Sequence, residues 1–181
     1  MKKLFALLFA VAMIFAGPLP AAAENGHGSL PQKEIEKVMK SFKRKKGFKM
    51  SSVGSFEIGL IKSVGKSAKD VDESELDDDT REVLRMLSVF ENLKSVKTLE
   101  FEDASAENRE AFVTAMSEVL KDVPMYEDID KDGLVTFVYG YRAEDGESYD
   151  GLAALSMDEG AFLLIEGLLS LDKLEILMEE D

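Results

Sequence analysis

Cysteine and tryptophan are absent from this chain of 181 residues, and it has a single histidine, His27. Without thiols no disulfide can hold the fold, so stability must come from a packed core. Zinc, copper and thiol chemistries lose their usual ligands, and a histidine-dependent triad has only a residue in a Gly-flanked tail to draw on. The acylation site of a lipoprotein is missing too, so no lipid anchor is expected. Positive charge is scarce: 22 Lys and Arg stand against 36 Asp and Glu, for a net charge of -14. That field repels nucleic acid, which is excluded as an expected partner. Long apolar runs are also lacking. The longest, Leu4 to Ala16, has 13 residues where a spanning helix needs roughly 20, and Gly17, Pro18 and Pro20 break the chain directly after it.

What is present at the start is an address. Met1-Lys2-Lys3, the apolar run and Ala21-Ala22-Ala23 together predict a secretory signal peptide over residues 1–23, cut after Ala23. Its removal takes away Lys2 and Lys3 and no acid, leaving a still more acidic exported chain, periplasmic or extracellular. Residues 24–30 show no apolar period and read as a flexible tail. Residues 31–181 are enough for one domain with a real core.

Ile35, Val38, Met39 and Phe42 recur at helical spacing, so a first helix is expected from Pro31 to a stop at Gly47. Phe48 to Val53 is expected as an edge strand. A helix capped by Ser55 comes next, then an acidic connector over 65–79, a third helix around Val83 to Phe90, and a strand over 95–102 with Leu99 and Phe101 on one side. Ser105 caps a longer helix with Phe112, Ala115, Met116, Val119 and Leu120 inward, and Pro124 bars its continuation. The period then becomes alternating. Strands at 125–129 and 134–142 flank Asp-Lys-Asp-Gly, and strands at 152–157 and 161–169 flank Asp-Glu-Gly. The last of these is apolar on both faces except at Glu166, which places it centrally. A closing helix carries Leu171, Leu174, Leu177 and Met178. Helices early and strands late predict an α+β fold, with helices packed on an antiparallel meander sheet.

The chemistry-bearing patterns are sparse. Asp128, Asp130 and Asp132 before Gly133 supply alternating oxygens that can wrap calcium, but the position of the bidentate glutamate is Tyr139 and the flanks read as strands, so a hairpin turn accounts for the same residues. Gly65-Lys66-Ser67 imitates the end of a phosphate loop, with Leu60 where its first glycine belongs. Ser63 with Lys66, and Ser170 with Lys173, match a serine nucleophile beside a lysine base; neither has a companion motif, and Leu99 follows Lys97-Thr98 where penicillin-binding enzymes have glycine. Paired carboxylates carry no specificity among so many acids. No catalytic residue, cofactor or metal is assigned, calcium remaining the weak exception.

The best contact surface is basic. Lys33, Lys37, Lys40, Lys43, Arg44, Lys45, Lys46 and Lys49 place eight of the 22 cations within residues 33–49. A solvated face with cations at a helix C-terminus explains them without function; docking to an acidic partner or to outer-membrane phosphates is the alternative, with Lys43, Arg44, Lys45 and Lys46 at its centre.

The basic segment ending KRKKGF, then SFEIGLIK, REVLRMLSVFENLKSVKTLEFEDAS, the Asp-Gly hairpin and LDKLEILM together resemble the exported bacterial family catalogued as domain of unknown function 4252, over about Pro31 to Met178. The resemblance implies an α+β domain of the Gram-negative envelope and no known activity, so it transfers no site residue. Members often carry a lipobox cysteine, which this sequence lacks. The expectation is a non-enzymatic domain that binds an envelope protein or peptide; a small hydrolase with Ser-Lys or carboxylate chemistry is the alternative, and a calcium-responsive module the third.

Overall fold

Ile35, Met39 and Phe42 reach one apolar surface because a helix brings every third or fourth residue to the same side, and Leu30, just before that helix, joins them. That helix, α1 (Gln32–Phe42), buries Ile35 and Met39 completely. The computed structural model describes residues 28–54, 92–129, 135–145 and 148–170, with backbone alone at 126–129 and 170. The signal peptide, the acidic connector and the helices expected near 55–64, 83–90 and 171–178 lie outside the described residues.

α1 stops earlier than the Gly47 signal suggests. Lys43 caps it, its N–H donating to the Met39 carbonyl at 2.9 Å. One more turn would have offered the core only Lys45 and Lys46 and stacked like charges three and four residues apart. Instead the chain folds back through Lys45 N–H to Phe42 O at 2.8 Å and Phe48 N–H to Lys45 O at 3.3 Å, which returns Phe48 to the core beside Phe42. The run 43–46 is therefore a turn beyond the helix, not its last turn. The second described helix, α2 (Ala106–Leu120), starts where Ser105 accepts from the Asn108 N–H and buries Phe112, Met116 and Leu120; Ala115 and Val119 are half-buried.

Six strands form one sheet: β1 (Lys49–Val53), β2 (Leu93–Glu100), β3 (Met125–Ile129), β4 (Val135–Arg142), β5 (Ser148–Ser156) and β6 (Ala161–Ser170). Their spatial order is β1-β2-β6-β5-β4-β3 and every neighbouring pair is antiparallel, so β3 to β6 make the expected meander and β2 and β1 extend it past β6. β3, β4 and the start of β6 fall within a residue of their expected bounds. β5 begins four residues before Leu152, because Gly151 at φ +84° carries a bulge that lets Ser148 to Asp150 stay in the ladder.

α1 and α2 pack together over one face of the sheet, where Leu99, Ala153, Leu155, Phe162 and Leu164 meet them. The opposite face is dry as well: Val96, Val138, Leu152, Ala154, Leu163 and Ile165 are all buried. Such two-sided burial explains the unbroken apolar reading of β6. This is an α+β architecture of helices on an antiparallel sheet. No described helix is long and apolar enough to cross a membrane.

Candidate functional site

Two buried phenylalanines bracket the basic turn. Phe42 and Phe48 lie with ring centroids 5.4 Å apart, and both meet Phe112, at 5.4 and 5.9 Å, while Phe101 and Phe162 complete the group around Phe112. Between the brackets Gly47 takes φ +87°, and a Cβ there would stand 2.3 Å from the Asp103 carbonyl oxygen. Both the conformation and the close approach require glycine. The turn is thus pressed against the start of α2 and has little freedom left.

Lys43, Arg44, Lys45 and Lys46 are all exposed. Lys45 lies back on the protein, its Nζ 4.3 Å from the Phe42 ring centre and 3.3 Å from Asn108 Oδ1. Lys43, Arg44 and Lys46 make no ion pair among the described residues. Nearby Lys49 pairs with Asp103 at 2.7 Å; that hydrogen bond raises the Lys49 pKa above its ordinary value. The arrangement presents exposed cations toward solvent from a clamped turn, a geometry suited to holding anionic groups.

A second polar group, which the sequence did not single out, sits under α1. Lys97 of β2 points to the helix-covered face and donates to Glu36 Oε1 of α1 at 2.5 Å and Glu166 Oε1 of β6 at 2.8 Å; Ser95 also donates to Glu166, and Lys40 to Glu36. The side chains of Lys97, Glu36 and Glu166 are 17, 22 and 16% exposed. Hydrogen bonds from Lys40 and then Lys97 bring the Glu36 carboxyl down to about 2. Burial alone would lower the Lys97 ammonium, but hydrogen bonds to Glu166 and Glu36 outweigh it and leave its pKa raised. A lysine held protonated between two carboxylates cannot serve as a base beside Ser95, so this group is a structural tie between α1, β2 and β6. Its sequence signal was available: Lys97 shares the inward side of β2 with Leu99, and Glu166 is the one charge in β6.

The remaining candidates are scattered. Asp128 is in β3, opposite Thr136, and Asp130 and Asp132 lie outside the described residues; Ile129 pairs with Val135, so strands flank this loop where an EF-hand needs helices. No group of three metal-ligating side chains occurs among the described residues. Ser170 ends β6, while Ser63, Lys66 and Lys173 lie outside the described residues. A groove of about 410 Å³ runs between α2 and the β5–β6 turn, lined by Ala106, Arg109, Glu110, Val113, Thr114 and Met157. Arg109 turns its Nε onto the Ala104 carbonyl at 3.0 Å, so its guanidinium is partly committed to the protein itself. Polar groups do not converge there.

The described residues form an α+β domain that presents an exposed basic turn at Lys43, Arg44, Lys45 and Lys46. Comparison with known proteins finds no matching family model, no similar curated protein and no similar solved structure.

Proposed function

We propose that this protein is a non-enzymatic domain of the bacterial envelope that binds another protein or peptide through the basic turn Lys43-Arg44-Lys45-Lys46. One observation carries the reading: on a chain of net charge -14, Lys43, Arg44 and Lys46 stay exposed and without a carboxylate among the described residues, on a turn clamped by buried Phe42 and Phe48. Had these cations served to neutralise the chain's own acids, they would lie against them, as Lys49 does with Asp103. A turn fixed in its backbone also lowers the ordering cost that this chain meets on binding. The leader-like residues 1–23 and the resemblance to the exported family support an envelope location.

Pull-down from envelope extract at low and high salt tests the proposal, comparing the wild type with the variant in which Lys43, Arg44, Lys45 and Lys46 are all glutamine. A partner captured at low salt, released at high salt and lost with the variant is the expected result. Capture of the same proteins by both forms overturns it.

A further inference from the structure

We infer that the outer edge of β1 accepts an extended acidic segment of another protein as a seventh strand, antiparallel to β1, with the segment's acidic residues running C-terminally onto the 43–46 turn. This inference rests on the proposed binding function and gives the chemistry of its ligand. β1 ends the strand order and pairs with β2 alone, so the backbone groups on its other side have no ladder partner among the described residues. Ser51 and Ser52 are exposed, and Met50 and Val53 half-buried. Edges are usually blunted by short length, an edge lysine, proline, a bulge, an inward charge or a covering segment. β1 is five residues long and starts with Lys49, but it has no proline and no bulge: its register is unbroken from Lys49 opposite Glu100 to Val53 opposite Val96, and Lys49 is tied to Asp103.

Charge decides between the two edges of the sheet. β3, at the far edge, follows Pro124 and contains Glu127 and Asp128, which repel an acidic strand. β1 follows directly on the basic turn. Every neighbouring pair in the sheet is antiparallel, so a strand added in the same sense leaves Lys49 at its C-terminal end. Lys46 to Lys43 lie three to six residues before Lys49, so the residues of the ligand that continue past Lys49 approach the turn. The ligand is therefore a short β-forming stretch followed, not preceded, by Asp or Glu. Main-chain pairing supplies affinity and the turn supplies direction.

The test uses the full chain and a fluorescein-labelled synthetic peptide of alternating Val and Thr followed by a run of Glu, with anisotropy for affinity and hydrogen exchange for the amides of residues 49–53. Binding should protect β1, weaken roughly tenfold or more in the variant Lys43→Glu, Arg44→Glu, Lys46→Glu, and weaken likewise for a peptide N-methylated at alternate amides or carrying its Glu run first. Binding that leaves exchange at 49–53 unchanged, or that tolerates reversed order and N-methylation, overturns strand addition and leaves the basic turn as an acidic docking site. No binding of any acidic peptide, with salt-labile capture from extract intact, likewise overturns this inference alone; loss of that capture overturns the function itself. Head-to-tail oligomers of the chain by sedimentation, dissolved by the charge reversal, would give the edge to a second copy and overturn the peptide as occupant.

Discussion

Replacing Lys97 with methionine keeps most of the side chain's length and removes the ammonium that joins α1 to the sheet. Glu36 and Glu166, which both accept from Lys97 Nζ, would then face each other with only Lys40 on one and Ser95 on the other. Breaking a fully buried pair costs about 3–5 kcal/mol, and the 16–22% exposure of these groups lowers the expected loss to about 2 kcal/mol at pH 7. The pH dependence separates charge from packing. Glu36 in the folded chain stands at about 2 against an ordinary 4.5, so its stabilisation is present above pH 4.5 and is lost as pH falls toward 2. By linkage that shift is worth at most about 3 kcal/mol, and solvent screening around exposed Lys40 reduces it to about 1–2 kcal/mol. Lys97→Met removes one of the two main donors holding Glu36 down. The stability gap between wild type and variant should therefore narrow by about 1 kcal/mol between pH 7 and pH 3. Urea unfolding at both pH values measures it. An equal gap at pH 7 and pH 3 would mean that the loss is packing alone and would refute the electrostatic account. At the alkaline end, the raised Lys97 contributes fully below its ordinary value of 10.5 and is lost as pH climbs past its folded pKa.

Gly47→Ala forces a side chain into φ +87° against the backbone at Asp103 and Ala104; a loss of about 2 kcal/mol or more in urea unfolding is expected, and wild-type stability would mean that the turn is not clamped. Phe112→Ala removes the ring that touches Phe42, Phe48, Phe101 and Phe162 and should cost about 3–5 kcal/mol, read as a fall in Tm. Ser105→Ala takes away the cap on Asn108 and should cost about 1 kcal/mol by the same measurement. Calorimetric titration with calcium should give no heat at millimolar ion, since Asp128 lies in β3 and strands end and resume at Ile129 and Val135 around the loop; saturable heat that disappears with Asp130→Asn would overturn the hairpin reading.

Elements governed by a single local signal were legible in the sequence. Met125–Ile129 and Val135–Arg142 could be bounded because alternation and an Asp-Gly turn point the same way, and Ser105 marked the start of α2 because capping is a contact within one turn. The end of α1 was not legible from the glycine rule. The chain leaves the helix at Phe42 because Phe48 has to return to the same aromatic group, a contact that involves Phe101 and Phe112, more than fifty residues away in sequence. Lys97 escaped notice for a related reason: its place on the inward side of β2 was readable, but its partners come from α1 and β6, and only the sheet order makes them neighbours. The basic run could be found from the order of residues along the chain, whereas its fixed shape depends on Gly47 fitting against residues 103 and 104.

That fixed shape bears on why the cations are clustered. An acidic chain gains from positive charge wherever it is placed, and at physiological salt a charge acts over about 8 Å, so stability alone favours cations dispersed among the acids. Lys43, Arg44, Lys45 and Lys46 are instead consecutive, repelling one another on a turn where the nearby carboxylate of Asp103 is already taken by Lys49. Folding holds this arrangement in place through Phe42, Phe48 and Gly47 although the charges oppose it. Local repulsion maintained by core packing is what the proposed docking of an acidic partner would relieve, with acidic groups lying between the members of the cluster.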